Sequence, residues 1–303
     1  MPKISVVITC YNYAHYLAGC LDSVLSQTFQ DFEIIVVNDG STDNTDEVIS
    51  PYLDDSRIRY LKQTNAGQAN AKNTGIRNAE GDFIAFLDAD DIWNTTKLDK
   101  QISLFSNPQV GVVYSITRYI DEQGNEVSFQ SDSKYLAPQT GKVTEFLFFD
   151  NFIPFSSSVV RRECFDRVGV FDESIKMGID WDLWLRISVH YLFRFVDEPL
   201  LLYRIGHVGQ MSKNLEVRQA CTDRIMSNFL EKHPVLLSRK VVRKAKVYTQ
   251  VNRGYYFRSI NTDKALVHYI KALKADPFNL ISWIGLIKTV GIGAINIFSK
   301  RHV

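Results

Sequence analysis

No G-x-G-x-x-G follows the first apolar run of this 303-residue chain, and no G-x-x-x-x-G-K-[ST] occurs anywhere in it. A dinucleotide-binding Rossmann turn and a P-loop are thereby excluded as its means of holding phosphate. Cysteine is scarce as well: Cys10, Cys20, Cys164 and Cys221 are scattered, with no C-x-x-C pair. That spacing argues against a disulfide framework or a zinc site and for reduced, buried thiols. Net charge is only +1, with 45% hydrophobic and 23% charged residues, an ordinary soluble composition large enough for one sizeable core plus a second unit. Nothing here calls for a nucleic-acid partner. The chain opens Met1-Pro2-Lys3 and passes straight into a strand-like run, so no signal peptide and a cytoplasmic address are expected.

The small net charge hides an uneven distribution. Residues 1–212 hold 18 Lys and Arg against 29 Asp and Glu, whereas residues 213–303 hold 17 against 5. An acidic body thus carries a basic tail, which is expected to meet an anionic surface.

Short apolar, β-branched runs punctuate the first part of the chain: residues 4–9, 33–38, 57–61, 83–88 and 110–115. Their near-continuous apolar character fits strands covered on both faces. Between them, "YLAGCLDSVLSQ" places Leu17, Leu21, Val24 and Leu25 on one helical face, and "NTDEVISPYL" and "QANAKNTGIRNA" read as further helices. The alternation predicts an α/β fold with a mostly parallel central sheet, whose ligands sit beyond the carboxyl ends of the strands.

Polar motifs fall at that edge. The first strand runs into "TCYN", the second into "NDGSTDNT" and the fourth into "LDADD". Residues i and i+2 of an extended chain project to one side, so Asp88 and Asp90 can face one site while Asp91 turns away. Uncompensated carboxylates are costly to bury, so a cation is expected to meet them, and a carboxylate pair open to a pocket suits Mg²⁺ or Mn²⁺ whose shell is completed by substrate phosphates. A D-x-D alone is equally a solvated turn capping the next helix.

The segments "PKISVVITCYNYAHYLAGCLDSVLSQTF", "IIVVNDGSTDNT", "NAGQANAKNTGI" and "GDFIAFLDADD", in this order, resemble the family 2 glycosyltransferases of GT-A fold over residues 3–212. The resemblance implies sugar transfer, with inversion, from a nucleotide diphosphate donor to an acceptor hydroxyl. It implies that Thr9 and Tyr11 line the base and ribose pocket and that Asp39 accepts a hydrogen bond from the base. An acceptor-only carboxylate suits the ring N–H of uracil or thymine, hence a UDP- or dTDP-linked donor. Asp39 is alternatively a turn or cap residue, and Tyr11 an aromatic at the core edge. Gly67 is expected to let the loop approach the nucleotide, and Lys72 to reach the ribose or phosphates at a place where relatives often carry Arg. Asp88 is placed near the ribose or metal, Asp90 becomes the principal metal ligand, and Asp91 is left structural.

The second half supplies the acceptor side. Residues 155–175 resemble the segment shaping the acceptor pocket, and "MGIDWDLWLRIS" resembles the helix start that carries the catalytic base. Asp180 occupies the base position, with its alternative a helix N-cap and with Asp182 as substitute. Relatives often carry Glu-Asp where this chain has Ile179-Asp180. In "YRIGHVGQMS", His207 is expected to complete the metal shell or contact the diphosphate, or else to be structural, while Arg204 braces the loop.

Residues 213–303 form a basic helical C-terminal extension outside the resemblance. "ALVHYIKALKADPFN" is similar to the second helix of a tetratricopeptide repeat through Ala265, Tyr269, Ala272 and Pro277, with Gly254 in the preceding helix, and a packed helical hairpin is expected. The 19 residues 280–298 carry one charge, marginal for spanning a bilayer. With Trp283, Lys288 and the trailing "SKRH" they fit a helix at a membrane interface on the inner face of the cell membrane, docked on the body, or in a homo-oligomer. The expected partners are a nucleotide-sugar donor and a glycan or lipid-linked acceptor in surface polysaccharide assembly. Rival readings are a D-x-D phosphohydrolase and a catalytically silent, glycosyltransferase-like subunit.

Overall fold

The computed structural model describes residues 3–128, 137–207 and 215–299, without the side chains of 215 and 292–299. The chain packs as two compact units, Met1–Phe229 and Leu230–Val303. The boundary expected after residue 212, and the terminal "SKRH" beyond Ser299, lie outside the described residues.

The first unit begins β1 (Ile4–Cys10), α1 (Ala14–Leu25), β2 (Phe32–Asn38), α2 (Thr45–Ile49), β3 (Ile58–Lys62), α3 (Gln68–Asn78), β4 (Phe83–Asp88), β5 (Ile92–Trp93), α4 (Lys97–Ile102), β6 (Val110–Ile120) and β7 (Glu126–Val127). It continues α5 (Thr144–Phe149), β8 (Val159–Arg161), α6 (Glu163–Val168), α7 (Ile179–Ser188), β9 (Leu192–Arg204) and α8 (Leu215–Lys232), whose last turn enters the second unit.

The strands form one sheet in the order β3-β2-β1-β4-β8-β6-β9-β5, with β7 on β6. β3, β2, β1 and β4 are all parallel; the apolar runs of β1, β2 and β4 are buried on both faces as their sequence requires, while the edge strand β3 buries only Ile58. Each fully buried Val, Leu or Ile there contributes roughly 1.5–3 kcal/mol. Beyond β4 the sheet changes character. β8 runs antiparallel to both β4 and β6, and β9 runs parallel to β6 through a ladder interrupted by register shifts. The run expected over 110–115 is thus the start of an eleven-residue strand in a mixed half of the sheet. Apolar runs mark a buried strand but carry no sign of its direction, which the long-range partner decides.

The strand-end loops lock to one another. Asn12 holds a left-handed backbone at φ 57°, and its amide N–H donates to Ser41 Oγ while its side-chain oxygen accepts from the Thr42 N–H at 2.7 Å. Asp43 accepts the Ala14 N–H at 3.0 Å, so the exposed donor at the start of α1 is satisfied from the second loop rather than by its own preceding residue.

The second unit comprises α9 (Arg239–Phe257), α10 (Thr262–Ala275) and α11 (Leu280–Ser299). Ser238 and Asn261 cap α9 and α10 through their side-chain oxygens. The expected hairpin is present, α9 packed on α10, and α11 packs on it in turn. Gly254 and Gly285 receive the Tyr269 ring from two sides: a Cβ on either would lie within 3 Å of ring atoms.

Candidate active site

The register between β1 and β4 sets Thr9 directly beside Asp88. From α3, the buried Lys72 ammonium donates to Asp88 Oδ1 at 2.8 Å and to Thr9 Oγ1 at 3.3 Å, and it lies 4.5 Å over the Phe155 ring. Lys72, Thr9 and Asp88 therefore form one cluster at the carboxyl edge of the sheet. The ammonium answers part of the charge that the sequence leaves uncompensated.

Asp90, two residues beyond β4, pairs with His207: Nε2 lies 2.9 Å from Oδ2. The imidazole is buried, with its faces and edges met by Tyr13 and Tyr16 at ring-centroid distances of 5.4 and 5.6 Å. Burial, and then the neighbouring carboxylates of Asp90 and Asp88, raise the Tyr13 phenol's pKa well above its ordinary value. Neither Tyr13 nor Tyr16 belongs to the residues that the strand-end motifs nominate, although their alternation in "YNYAHY" beside the first strand end is a signal for them.

Asp91 points the other way. Fully buried, it accepts from Ser156 Oγ at 2.5 Å and from the Arg204 backbone N–H at 3.0 Å. Burial, and then the Asp90 and Asp88 charges, push its carboxyl well above the usual range. Ser156 also accepts the Asp88 N–H, and the Arg204 guanidinium donates to the carbonyls of Asp90, Asp121 and Glu122 while stacking 4.4 Å over Tyr16. The backbone of the D-A-D-D turn is thus held from two distant segments. Ser156 is a further residue that no local pattern announces.

Asp39 lies just past β2 and is buried. Its Oδ1 accepts from Gln63 Nε2 and the Ala66 N–H, and its Oδ2 accepts the Gly67 N–H at 2.9 Å. The carboxylate fastens the loop that leads into α3, and each oxygen retains acceptor capacity only in part. Gly67 is in the positive-φ region at 87°, with open space around its missing Cβ. Backbone conformation, not crowding within the chain, is what demands glycine there. Tyr11 is 47% exposed at the same edge.

Asp180 sits in the first turn of α7, two residues past the cap position, which Gly178 fills in a left-handed conformation. The alternative of Asp180 as N-cap is therefore replaced by Gly178. Its Oδ2 accepts from Asn151 Nδ2 at 2.7 Å. Burial raises its pKa, opposed by the Trp181 N–H, the Asn151 amide and the nearby Lys72 charge. Asp182, the alternative, is bound to Arg186 at 2.8 Å, and Arg186 also donates to the carbonyls of Val168, Gly169 and Val170.

The residues suit a divalent ion in part. Asp90 and His207, whose carboxylate and imidazole lie 2.9 Å apart, are the donor types that would hold such an ion. Among the described residues no group of three or more His, Cys, Asp or Glu is gathered for metal binding.

This architecture is that of the GT-A glycosyltransferases. It superposes on S. aureus TarS 1–349 in complex with UDP-GlcNAc with a TM-score of 0.62 at 19% identity, covering 92% of this chain and 90% of that one. On the mannosyltransferase PcManGT from Pyrobaculum calidifontis, in complex with GDP-Man and Mn²⁺, the TM-score is 0.63 at 17% identity, with 97% and 81% covered. The glycosyl transferase family 2 model matches residues 5–169, and the chain belongs to that family. An uncharacterised glycosyltransferase of Rickettsia typhi is 32% identical over 237 residues, 76% of this chain and 72% of the relative. Chondroitin synthase of Escherichia coli is 27% identical, with 87% of this chain and 37% of the relative covered. The chain spans about half or less of two further curated relatives, from Rickettsia felis and Rickettsia conorii, at 49% and 43% of their lengths.

Proposed function

We propose that the chain transfers a sugar, with inversion, from a nucleoside diphosphate donor to an acceptor hydroxyl during assembly of a surface polysaccharide or similar glycan. The observation that carries this reading is the meeting of Lys72 with Asp88 and of His207 with Asp90 at one strand edge. Thr9, Tyr11, Asp39 and Gly67 belong to the nucleoside side, where the fastened loop 63–67 presents its backbone. Lys72 offers its ammonium to the diphosphate. Asp90 and His207 would hold Mg²⁺ or Mn²⁺, with Asp88 beside them, and such an ion would supply charge neutralisation for the departing diphosphate. Asp180 takes the proton from the acceptor hydroxyl as its oxygen bonds to the anomeric carbon and the bond to the diphosphate breaks. A carboxylate with a raised pKa, held in aim by Asn151, suits that task.

Binding of UDP-, dTDP- and GDP-sugars, with and without Mn²⁺, together with slow release of the nucleoside diphosphate, tests the reading. Metal-dependent binding of at least one donor is expected. A chain that binds no nucleotide is a silent subunit, and release of inorganic phosphate alone points to a hydrolase.

A further inference from the structure

An ordinary surface helix buries its large apolar side chains and exposes its small and polar ones. α11 does the reverse. Its inward positions are Ser282, Gly285 and Thr289, all buried, whereas Trp283, Ile284, Ile287 and Val290 are exposed, Ile287 by 67%. Phe278, in the turn before it, is 94% exposed. α10 presents a related outward face, on which Val267 and Ile270 share helical spacing with Lys271 and Lys274. Lys288 stands one turn after Ile284, exposed on the apolar side of α11.

Charge identifies the occupant. Residues 230–303 hold 14 Lys and Arg against 3 Asp and Glu. A second copy of such a unit would bring strongly like charges together while covering lysines. A surface both negative and apolar satisfies both features, and a bilayer rich in anionic lipid is that surface. Among the described residues no helix is long and apolar enough to cross a membrane, so contact is with one face only. We propose that the α10–α11 turn and the outer face of α11 form a peripheral docking surface for an anionic lipid bilayer, with Phe278, Trp283, Ile284 and Ile287 entering the headgroup boundary and Lys271, Lys274 and Lys288 lying against the phosphates.

The test uses the full chain and vesicles of phosphatidylcholine alone or with 30 mol%, an amount of about one lipid in three, of phosphatidylglycerol. The other three tryptophans, Trp93, Trp181 and Trp184, are buried, so quenching by brominated lipid reports on Trp283. Flotation with anionic but not neutral vesicles, Trp283 quenching, and loss of both at high salt are expected. Ile284→Glu/Ile287→Glu and, separately, Lys271→Glu/Lys274→Glu should each lower partitioning by at least about tenfold with unchanged helical circular dichroism. UDP binding should be unaffected in both variants, which separates this docking from the proposed transfer. Absence of flotation, equal flotation on neutral vesicles, or a lipid-free dimer that is dispersed by Ile284→Glu/Ile287→Glu overturns the proposal.

Discussion

The Lys72 ammonium stands 2.8 Å from Asp88 Oδ1, joining the start of α3 to the end of β4 across the edge of the parallel sheet. Lys72 is buried, whereas the Asp88 side chain is one-third exposed. A ligand therefore reaches the pair from the Asp88 side.

Lys72→Met keeps an unbranched side chain and removes the charge that lies over the Phe155 ring. Calorimetry should find the melting temperature within about 4 °C of the parent, because a buried ammonium loses its desolvation cost together with its partner. Titration with UDP should find affinity lowered by about tenfold or more, as expected for a cation lost from a diphosphate site. An unchanged UDP affinity would place Lys72 in a purely structural role.

Asp90→Asn should abolish transfer and remove the Mn²⁺-dependent part of UDP binding, with the fold intact. The expected loss in kcat is at least about 10³-fold, since a ligand carboxylate beside the leaving diphosphate acts most strongly in the transition state. His207→Gln should weaken Mn²⁺ binding in the same direction. Restoration of full rate by saturating Mn²⁺ in Asp90→Asn would argue against its direct role.

Asp180→Asn should leave donor affinity alone and lower turnover by about 10²- to 10⁴-fold. Asp182→Asn is the contrast: it unpairs Arg186 and should cost about 1–3 kcal/mol in urea unfolding, with turnover changed little. The Asp180 pKa is raised in the folded chain, so the folded state binds its proton more tightly than the unfolded state does. Its unfavourable effect is absent below the unfolded carboxylate pKa, grows as pH rises through the window up to the folded value, and persists above it. Asp180→Asn should accordingly be more stable than the parent at neutral pH, by a margin that shrinks as pH falls, and the parent's rate should decline on the acid side as the base is protonated.

Gly285→Ala would set a methyl group 2.2 Å from a Tyr269 ring carbon. Overpacking of this kind costs about 1–3 kcal/mol. Hydrogen exchange should show faster opening of amides in α9, α10 and α11 while β1, β2 and β4 keep their protection. Restoration of protection by adding Tyr269→Leu would attribute the effect to that ring.

That Asp88 and Asp90 need partners is legible without any tertiary information, because an apolar run that ends in carboxylates sets them where uncompensated charge is costly. β1, β2 and β4 are equally plain, their apolar continuity being a local consequence of burial on both faces. The tetratricopeptide-like spacing of Ala265, Tyr269 and Ala272 likewise marks the packed face of α10, since helical period is local. What joins these pieces is not local. Asp91 meets Arg204 across 113 positions, and Ser156 ties Asp88 to Asp91 from 68 and 65 positions away. The direction of β8 and the choice of Gly178 over Asp180 as the α7 cap were decided by the folded chain, whereas Asp182 and Arg186 are local i, i+4 neighbours within one helix. Residue pattern determines which side chains must leave water and at what period. Which distant polar group then satisfies each of them depends on strand register and loop path, and these exist only once the whole sheet has formed.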